Sequence, residues 1–263
     1  MISDCHMHTG FSSDSDAKPE EMAEQAIRMG MEHICITDHF DMDYPGGEFA
    51  LDTETYFDKI KKLQSEFEGR LEIRLGVELG LQPYLAGRIQ TYADAYPFDY
   101  VIGSVHLVNG LDPYDRETYP GTDAELYREY FECTLKNIRA VKGFQALGHL
   151  DYVVRYGYER EKGYSYQNYA DVIDEILREL IFRGIALEVN SGGLKYGLGF
   201  PNPHPDILKR YRELGGEMIT VGSDAHQPGH VGYGFGLIRD ILLDCGFRYF
   251  TEFSGHAPFF VYL

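Results

Sequence analysis

Seven short segments of this chain each close an apolar run with a residue able to bind a metal ion. The first is Asp4-Cys5-His6-Met7-His8, followed by Thr37-Asp38-His39, Val77-Glu78 and Ser104-Val105-His106. Gly148-His149-Leu150-Asp151, Glu188-Val189-Asn190 and Ser223-Asp224-Ala225-His226 complete the set. From His8, the steps to His39, Glu78, His106, His149, Glu188 and Asp224 are 31, 39, 28, 43, 39 and 36 residues. A strand, its crossover helix and the next parallel strand need about 30 residues or more. A barrel built from such units gathers its strand ends at one face, where enzymes of this architecture keep their active sites. The spacing therefore predicts one crowded His/Asp/Glu cluster, a polynuclear metal site.

The apolar runs predict strands at Ile2–Cys5, His33–Thr37, Leu71–Val77, Asp99–Val105, Ala146–Leu150, Ala186–Val189 and Met218–Gly222. Each is short and rich in Ile, Val or Leu, as in strands buried on both faces. Helical patterns alternate with them, so the expected class is α/β with parallel strands. Pro19, Glu20 and Glu21 suit a helix start and Gly30 its end. Thr122 and Glu125 form a capping box ahead of a second helix. Ser165 opens a third, which Gly184 ends. The tail, at 247–250 and 259–263, offers two further short strands. With 263 residues and no linker or composition break, the expectation is a single domain, 1–263, shaped as a distorted seven-unit TIM-like barrel.

Composition excludes several function classes. The 42 acidic residues against 24 basic leave a net charge of −18, a field that repels phosphate backbones and so opposes nucleic acid as a partner. No run reaches the ~18 apolar residues of a membrane span. A signal peptide would need about 15–30 residues, yet residues 2–8 are taken by the first strand and its ligands; the expected location is the cytoplasm. Four cysteines without CxxC spacing argue against a zinc ribbon or a disulfide framework. Cys5 and Cys35 read as buried thiols.

His6 and His8, two apart on a strand, leave it on the same face, where two imidazoles can hold one divalent ion. HxH alone is a modest signal. Here six of the ten histidines stand at predicted strand ends, and a buried polar cluster of that size is costly without a cation. Glu78 and Asp224 are the carboxylates expected to join them, with Glu78 placed to bridge. The alternative for Glu78 alone is a salt bridge to an arginine.

These motifs resemble those of the PHP superfamily (polymerase and histidinol phosphatase). Its four motifs appear as Asp4-x-His6-x-His8, Thr37-Asp38-His39, the His106 and His149 pair, and Asp224-Ala225-His226. The run from Phe11 to Met22 and the stretch His149–Tyr156 are similar to those of histidinol-phosphate phosphatases in particular. The resemblance implies a distorted seven-stranded barrel with three divalent ions, of zinc, iron or manganese. His6, His8, Glu78 and Asp224 would hold the first, and Glu78, His106 and His149 the second. His39 and His226 would hold the third, with Asp14 standing where many relatives have a histidine. An oxygen donor there shifts preference toward harder ions such as Mn²⁺ or Fe²⁺ over Zn²⁺.

The implied reaction is hydrolysis of a small phosphomonoester, L-histidinol phosphate, by a water made acidic between cations. Asp224 would orient that water and His226 protonate the leaving group, with Glu78 the third catalytic residue. Arg155, by its position after the fifth strand, is the candidate for the phosphoryl oxygens, its planar fork being suited to them. Lys195 is a second cation candidate, although Gly192-Gly193 before it suits a plain tight turn. His230 is a candidate proton donor. Glu188, Asn190, Asp41 and Asp43 are candidates for the substrate's ammonium. His33, His204 and His256 are not expected to be ligands. The competing readings are a phosphodiesterase or exonuclease, which the acidic charge opposes, and an amidohydrolase, which usually carries a lysine on a middle strand. A decayed regulatory domain would have lost ligands, and only position 14 departs from the pattern.

Overall fold

The computed structural model describes residues 3–117, 119 and 121–263. Seven parallel strands form the sheet, in the order β1 (Ser3–Asp4), β2 (His33–Ile36), β4 (Glu72–Gly80), β5 (Tyr100–Ser104), β6 (Ala146–Leu147), β7 (Ala186–Asn190) and β8 (Ile219–Gly222). A short β3 (His39–Phe40) follows β2 and pairs farther along β4, with His39 beside Glu78. The gap between β8 and β1 is spanned by backbone hydrogen bonds from Cys5 N to Val221 O, Asp224 N to His6 O and His8 N to Ala225 O, at 2.8–3.0 Å. The sheet thus nearly closes into the expected barrel. Every predicted strand has its counterpart; Ile2, called as the start of the first, lies outside the described residues. The largest shifts are in β4, which runs three residues beyond Val77 and carries Glu78 inside the strand, and in β6, which ends at Leu147, three residues short of the expected Leu150.

The helices fill the intervals: α1 (Pro19–Arg28), α2 (Thr53–Glu66), α3 (Ala86–Ala95), α4 (Asp123–Ala140), α5 (Ala170–Arg183), α6 (Gly192–Lys195), α7 (Pro205–Glu213) and α8 (Phe235–Asp244). The capping box before α4 is present, with Glu125 N donating to Thr122 Oγ1 and Thr122 N to Glu125 Oε2. One helix start is corrected. Ser165 precedes a 3-10 turn, Tyr166–Tyr169, and α5 begins only at Ala170. The turn places the Tyr169 ring against Tyr127, Phe131 and Tyr164, a tertiary contact that outweighs the local start signal.

The tail forms a hairpin of β9 (Tyr249–Ser254) and β10 (Ala257–Tyr262), turning at Gly255 and His256, both at positive φ as a two-residue type I′ turn requires. It packs under the end of the barrel opposite the ligands. There Glu252 is fully buried, accepts from Ser3 Oγ at 2.6 Å and pairs with Arg74, while Phe253 stacks on Tyr100. All four cysteines are buried and free. No helix among the described residues is long and apolar enough to cross a membrane.

Candidate metal centre

The parallel strands bring the C-terminal ends of β1, β2, β4, β5, β6 and β8 to one face, with His39 opening β3 just beyond β2. His6, His8, His39, Glu78, His106, His149 and Asp224 are buried or nearly so there. Nε2 of His6 and Nε2 of His8 lie 3.0 Å apart. Asp224 Oδ1 is 3.7 and 3.2 Å from them, and Glu78 Oε2 is 3.2 and 3.4 Å away. Four donors tetrahedral about an ion at ~2.0–2.1 Å would stand about 3.3 Å from one another. The observed spacing is that of a ligand shell.

Glu78 faces two such groups. Its Oε1 lies 2.9 Å from His149 Nε2 and 3.3 Å from His106 Nε2, and accepts from Ser104 Oγ. Its Oε2 is buried with no hydrogen-bond partner, an acceptor left open toward His6, His8 and His39. A third set surrounds Asp14, whose Oδ2 is 3.0 Å from His226 Nε2 and 3.7 Å from His39 Nε2. Among the described residues, four groups of three donors, each within 4.8 Å, are able to hold a metal ion, one of them formed by His39, Asp41 and His106. The donor set, nitrogen and carboxylate oxygen without thiolate, fits zinc, iron or manganese.

The imidazoles are aimed by partners behind them. Glu188 Oε1 takes Nδ1–H of His6 at 2.5 Å. Ser12 Oγ, which donates to Asp38, takes that of His8 at 3.2 Å. Asp41 Oδ2 takes that of His106 at 2.7 Å and the Asp224 carbonyl that of His226 at 3.0 Å. In all four rings Nδ1 has an acceptor behind it, which leaves Nε2 facing inward and able to offer its lone pair to an ion, the arrangement that orients metal-binding histidines. Two glycines make room for it. A Cβ at Gly222 would stand 2.3 Å from His6 Cβ and 2.7 Å from Glu188 Oε1, and one at Gly80 would stand 2.4 Å from the Asp41 carboxylate.

Electrostatics agree with the geometry. Burial opposes charge on His6, yet the Glu188 and Glu78 carboxylates outweigh it and hold the ring well above its ordinary pKa. Burial likewise yields to Asp41 and Glu78 at His106. Glu78 and Asp224 stay well below the carboxylate range despite burial, because imidazoles surround them. Without an ion, protons on these imidazoles balance the Glu78 and Asp224 carboxylates, and a bound cation would supply that positive charge in their place.

Glu188 and Asn190, two of the candidates for a substrate ammonium, are engaged within the protein. Glu188 is spent on His6, His149 N and Asn190 Nδ2, and Asn190 Oδ1 accepts from Gly192 N. Asp43 pairs with Arg88 on the surface. We expect Glu188→Gln to cost about 10–100-fold in metal affinity, since a partner behind a ligand is worth that much; equilibrium dialysis against Zn²⁺ measures it, and unchanged affinity would remove Glu188 from the support of His6.

Above the cluster lies a cavity of about 440 Å³ whose walls include His39, His106, His149, Asp224 and His226, within the range of small-molecule sites. Arg155 forms part of the wall. Its guanidinium lies against Tyr152, Tyr156 and Tyr196, with ring centroids 4.9, 4.7 and 4.6 Å away, and donates to the Tyr156 hydroxyl. Among the described residues no carboxylate stands within ion-pair distance of it. Lys195 does not line the cavity; its Nζ donates to the Asp224 carbonyl at 2.7 Å. His230 sits on the surface turn Pro228–His230 against Gln227. His204 caps α7, His33 lies near Glu252, and His256 is in the hairpin turn.

Another part of the lining was not foreseen. Tyr44, Glu48 and Phe49 reach it from the stretch between β3 and α2, and Asp112 and Tyr114 from residues 105–122. Tyr44 OH donates to Asp112 Oδ2 at 2.5 Å, joining the two stretches. The one sequence signal for them is the length of the second stretch, because loops of more than about 12–15 residues are usually functional or disordered.

The PHP domain family model matches residues 4–192. The histidinol-phosphatase of Lactococcus lactis subsp. lactis is 33% identical over 259 residues, 96% of this chain and 94% of that protein. A protein of Clostridium acetobutylicum named a probable histidinol-phosphatase is 37% identical, over 94% of this chain and 95% of its own. The crystal structure of the L. lactis enzyme complexed with zinc, L-histidinol and phosphate superposes with a TM-score of 0.90, covering 98% of both chains. With matches of that extent, the protein belongs to the PHP domain family and, within it, to the histidinol-phosphatases.

Proposed function

We propose that the protein hydrolyses L-histidinol phosphate to L-histidinol and inorganic phosphate with the help of three divalent ions. The observation that carries this reading is one cavity lined by the candidate metal ligands, by Arg155, which no carboxylate among the described residues pairs, and by the carboxylates of Glu48 and Asp112. His6, His8, Asp224 and Glu78 would hold the first ion and Glu78, His106 and His149 the second; His39, His226 and Asp14 would hold the third. When bound, such ions lower the pKa of water toward neutrality and offset charge on phosphoryl oxygens.

The chain's own groups do the rest. Arg155, held planar between tyrosine faces, presents its fork to two phosphoryl oxygens and stabilises charge as it spreads in the transition state. Asp224 accepts a hydrogen bond from the attacking water and orients it in line with the departing alkoxide. The His226 ring has its nitrogens turned to the Asp224 carbonyl and to Asp14, so the leaving alkoxide takes its proton from solvent. Glu48 and Asp112 attract the cationic end of the substrate, and that pairing separates an amino-alcohol phosphate from a neutral sugar phosphate.

The test is phosphate release by the metal-loaded protein from histidinol phosphate, glucose 6-phosphate and single-stranded DNA, repeated with the E48Q/D112N variant. Histidinol phosphate is expected to be preferred. The double substitution should raise its KM about 10–100-fold, the value of one or two hydrogen bonds to charged groups, and leave glucose 6-phosphate unaffected. Faster cleavage of DNA than of either ester would replace this reading with that of a nuclease.

A further inference from the structure

Asp224 is the one proposed ligand between β8 and the surface turn at 228–230 whose backbone is left-handed, at φ +54°. That conformation is uncommon for a residue with a side chain and persists where surrounding structure enforces it. Its amide is tied to His6 O at 2.8 Å. Its carbonyl, turned the other way, receives Nζ of Lys195 at 2.7 Å and Nδ1 of His226 at 3.0 Å. Lys195 ends the short helix α6, whose first residues pass close by: a Cβ on Gly192 would stand 2.7 Å from Asn190 Oδ1 and 3.5 Å from Asp224 Oδ2. The lysine stem lies beside Tyr196, with Nζ 5.0 Å from its ring centroid.

We infer that Lys195 is a positioning residue: its ammonium, held on the Asp224 carbonyl, locks the left-handed turn and so sets the aim of the Asp224 carboxylate and the His226 ring together. The inference rests on the functional reading above for what those two side chains do. Three observations favour it over direct phosphate binding. Lys195 is not part of the cavity wall. Its ammonium is anchored on a carbonyl at a short distance. And the phosphate role is filled by Arg155, which has no competing carboxylate. A charged donor on a carbonyl is a strong hydrogen bond, and here it acts on the peptide whose rotation would swing Asp224 Oδ1 away from His6 and His8.

The experiment compares wild type, K195M and K195R after loading with Co²⁺ alone, reading the visible cobalt absorption and the cobalt content per chain. The kcat and KM for histidinol phosphate and inhibition by inorganic phosphate are measured on the same samples. In K195M the cobalt bands should shift and kcat fall about tenfold, the weight of one charge-assisted hydrogen bond. KM and the phosphate inhibition constant should stay within about twofold of wild type. K195R, which keeps a cationic donor, should recover the wild-type bands and most of the rate. Unchanged cobalt bands in K195M would overturn the inference, and a tenfold weaker phosphate inhibition beside them would make Lys195 a phosphate ligand instead. If K195M does not fold, K195Q is read in the same way. Should the wild type release no phosphate from histidinol phosphate, the functional reading fails, while the cobalt comparison still decides the role of Lys195.

Discussion

Glu78→Gln is expected to lower kcat on the order of 10³-fold, about 4 kcal/mol of barrier, and to reduce the metal bound per chain. The reason lies in the two oxygens of one carboxylate. Oε1 faces His106 and His149, Oε2 faces His6, His8 and His39, and both are buried. Glutamine keeps one oxygen, replaces the other with a donor aimed at imidazole lone pairs, and removes the negative charge between two proposed cations. Burial makes the loss larger, because charges screened weakly by protein interact far more strongly than in water. Elemental analysis and phosphate release on the same sample check both halves. An E78Q protein with wild-type metal content and rate would end the bridging assignment.

The second large effect is expected from Arg155→Met. Its kcat/KM for histidinol phosphate should fall about 10²–10³-fold, the usual cost of removing one preorganised group that meets transition-state charge. The metal content should stay as in wild type, which separates this variant from E78Q. Methionine fits among Tyr152, Tyr156 and Tyr196 without leaving a buried unpaired cation, so the fold is expected to survive. R155K should recover only part of the loss, since an ammonium has no bidentate fork and stacks poorly on rings. Inhibition by inorganic phosphate provides the independent measure: it should weaken in R155M in step with KM. A metal-loaded R155M with wild-type kcat/KM would take Arg155 out of phosphate binding.

These two residues were legible in the sequence for different reasons. Glu78 ends the run Leu75–Val77, whose residues are all buried, and a carboxylate at the end of such a run needs a cation or a strong partner. Arg155 rested on a family position. Glu188 shows the limit of the first kind of argument. It carries the same signal as Glu78, yet it lies behind His6 and serves as the acceptor of its Nδ1 proton. Asp41, offered as an ammonium partner, serves His106 in the same way. Asp4 shows a related gap. It stands inside the first motif, but only the fold reveals that its carboxylate binds Ser223, Gly232 N and the His6 amide, and so ties the first strand to the last. Glu48 and Asp112 left no signal beyond the length of the stretch that carries Asp112, because stretches without apolar periodicity give no indication of what they approach.

By itself the sequence determined the barrel class and the inward ends of its strands. Strands buried on both faces must be apolar throughout, and a crossover helix sets a minimum spacing between them. Only the tertiary structure decided which donor atom each residue presents. A histidine offers either nitrogen until a partner takes one, and the partners come from far along the chain: Glu188 stands 182 positions from His6, and Asp41 stands 65 from His106. The same holds for the carbonyl of Asp224 and the lysine that grips it. Such choices are made by side chains meeting across the barrel, and no local pattern of residues encodes them.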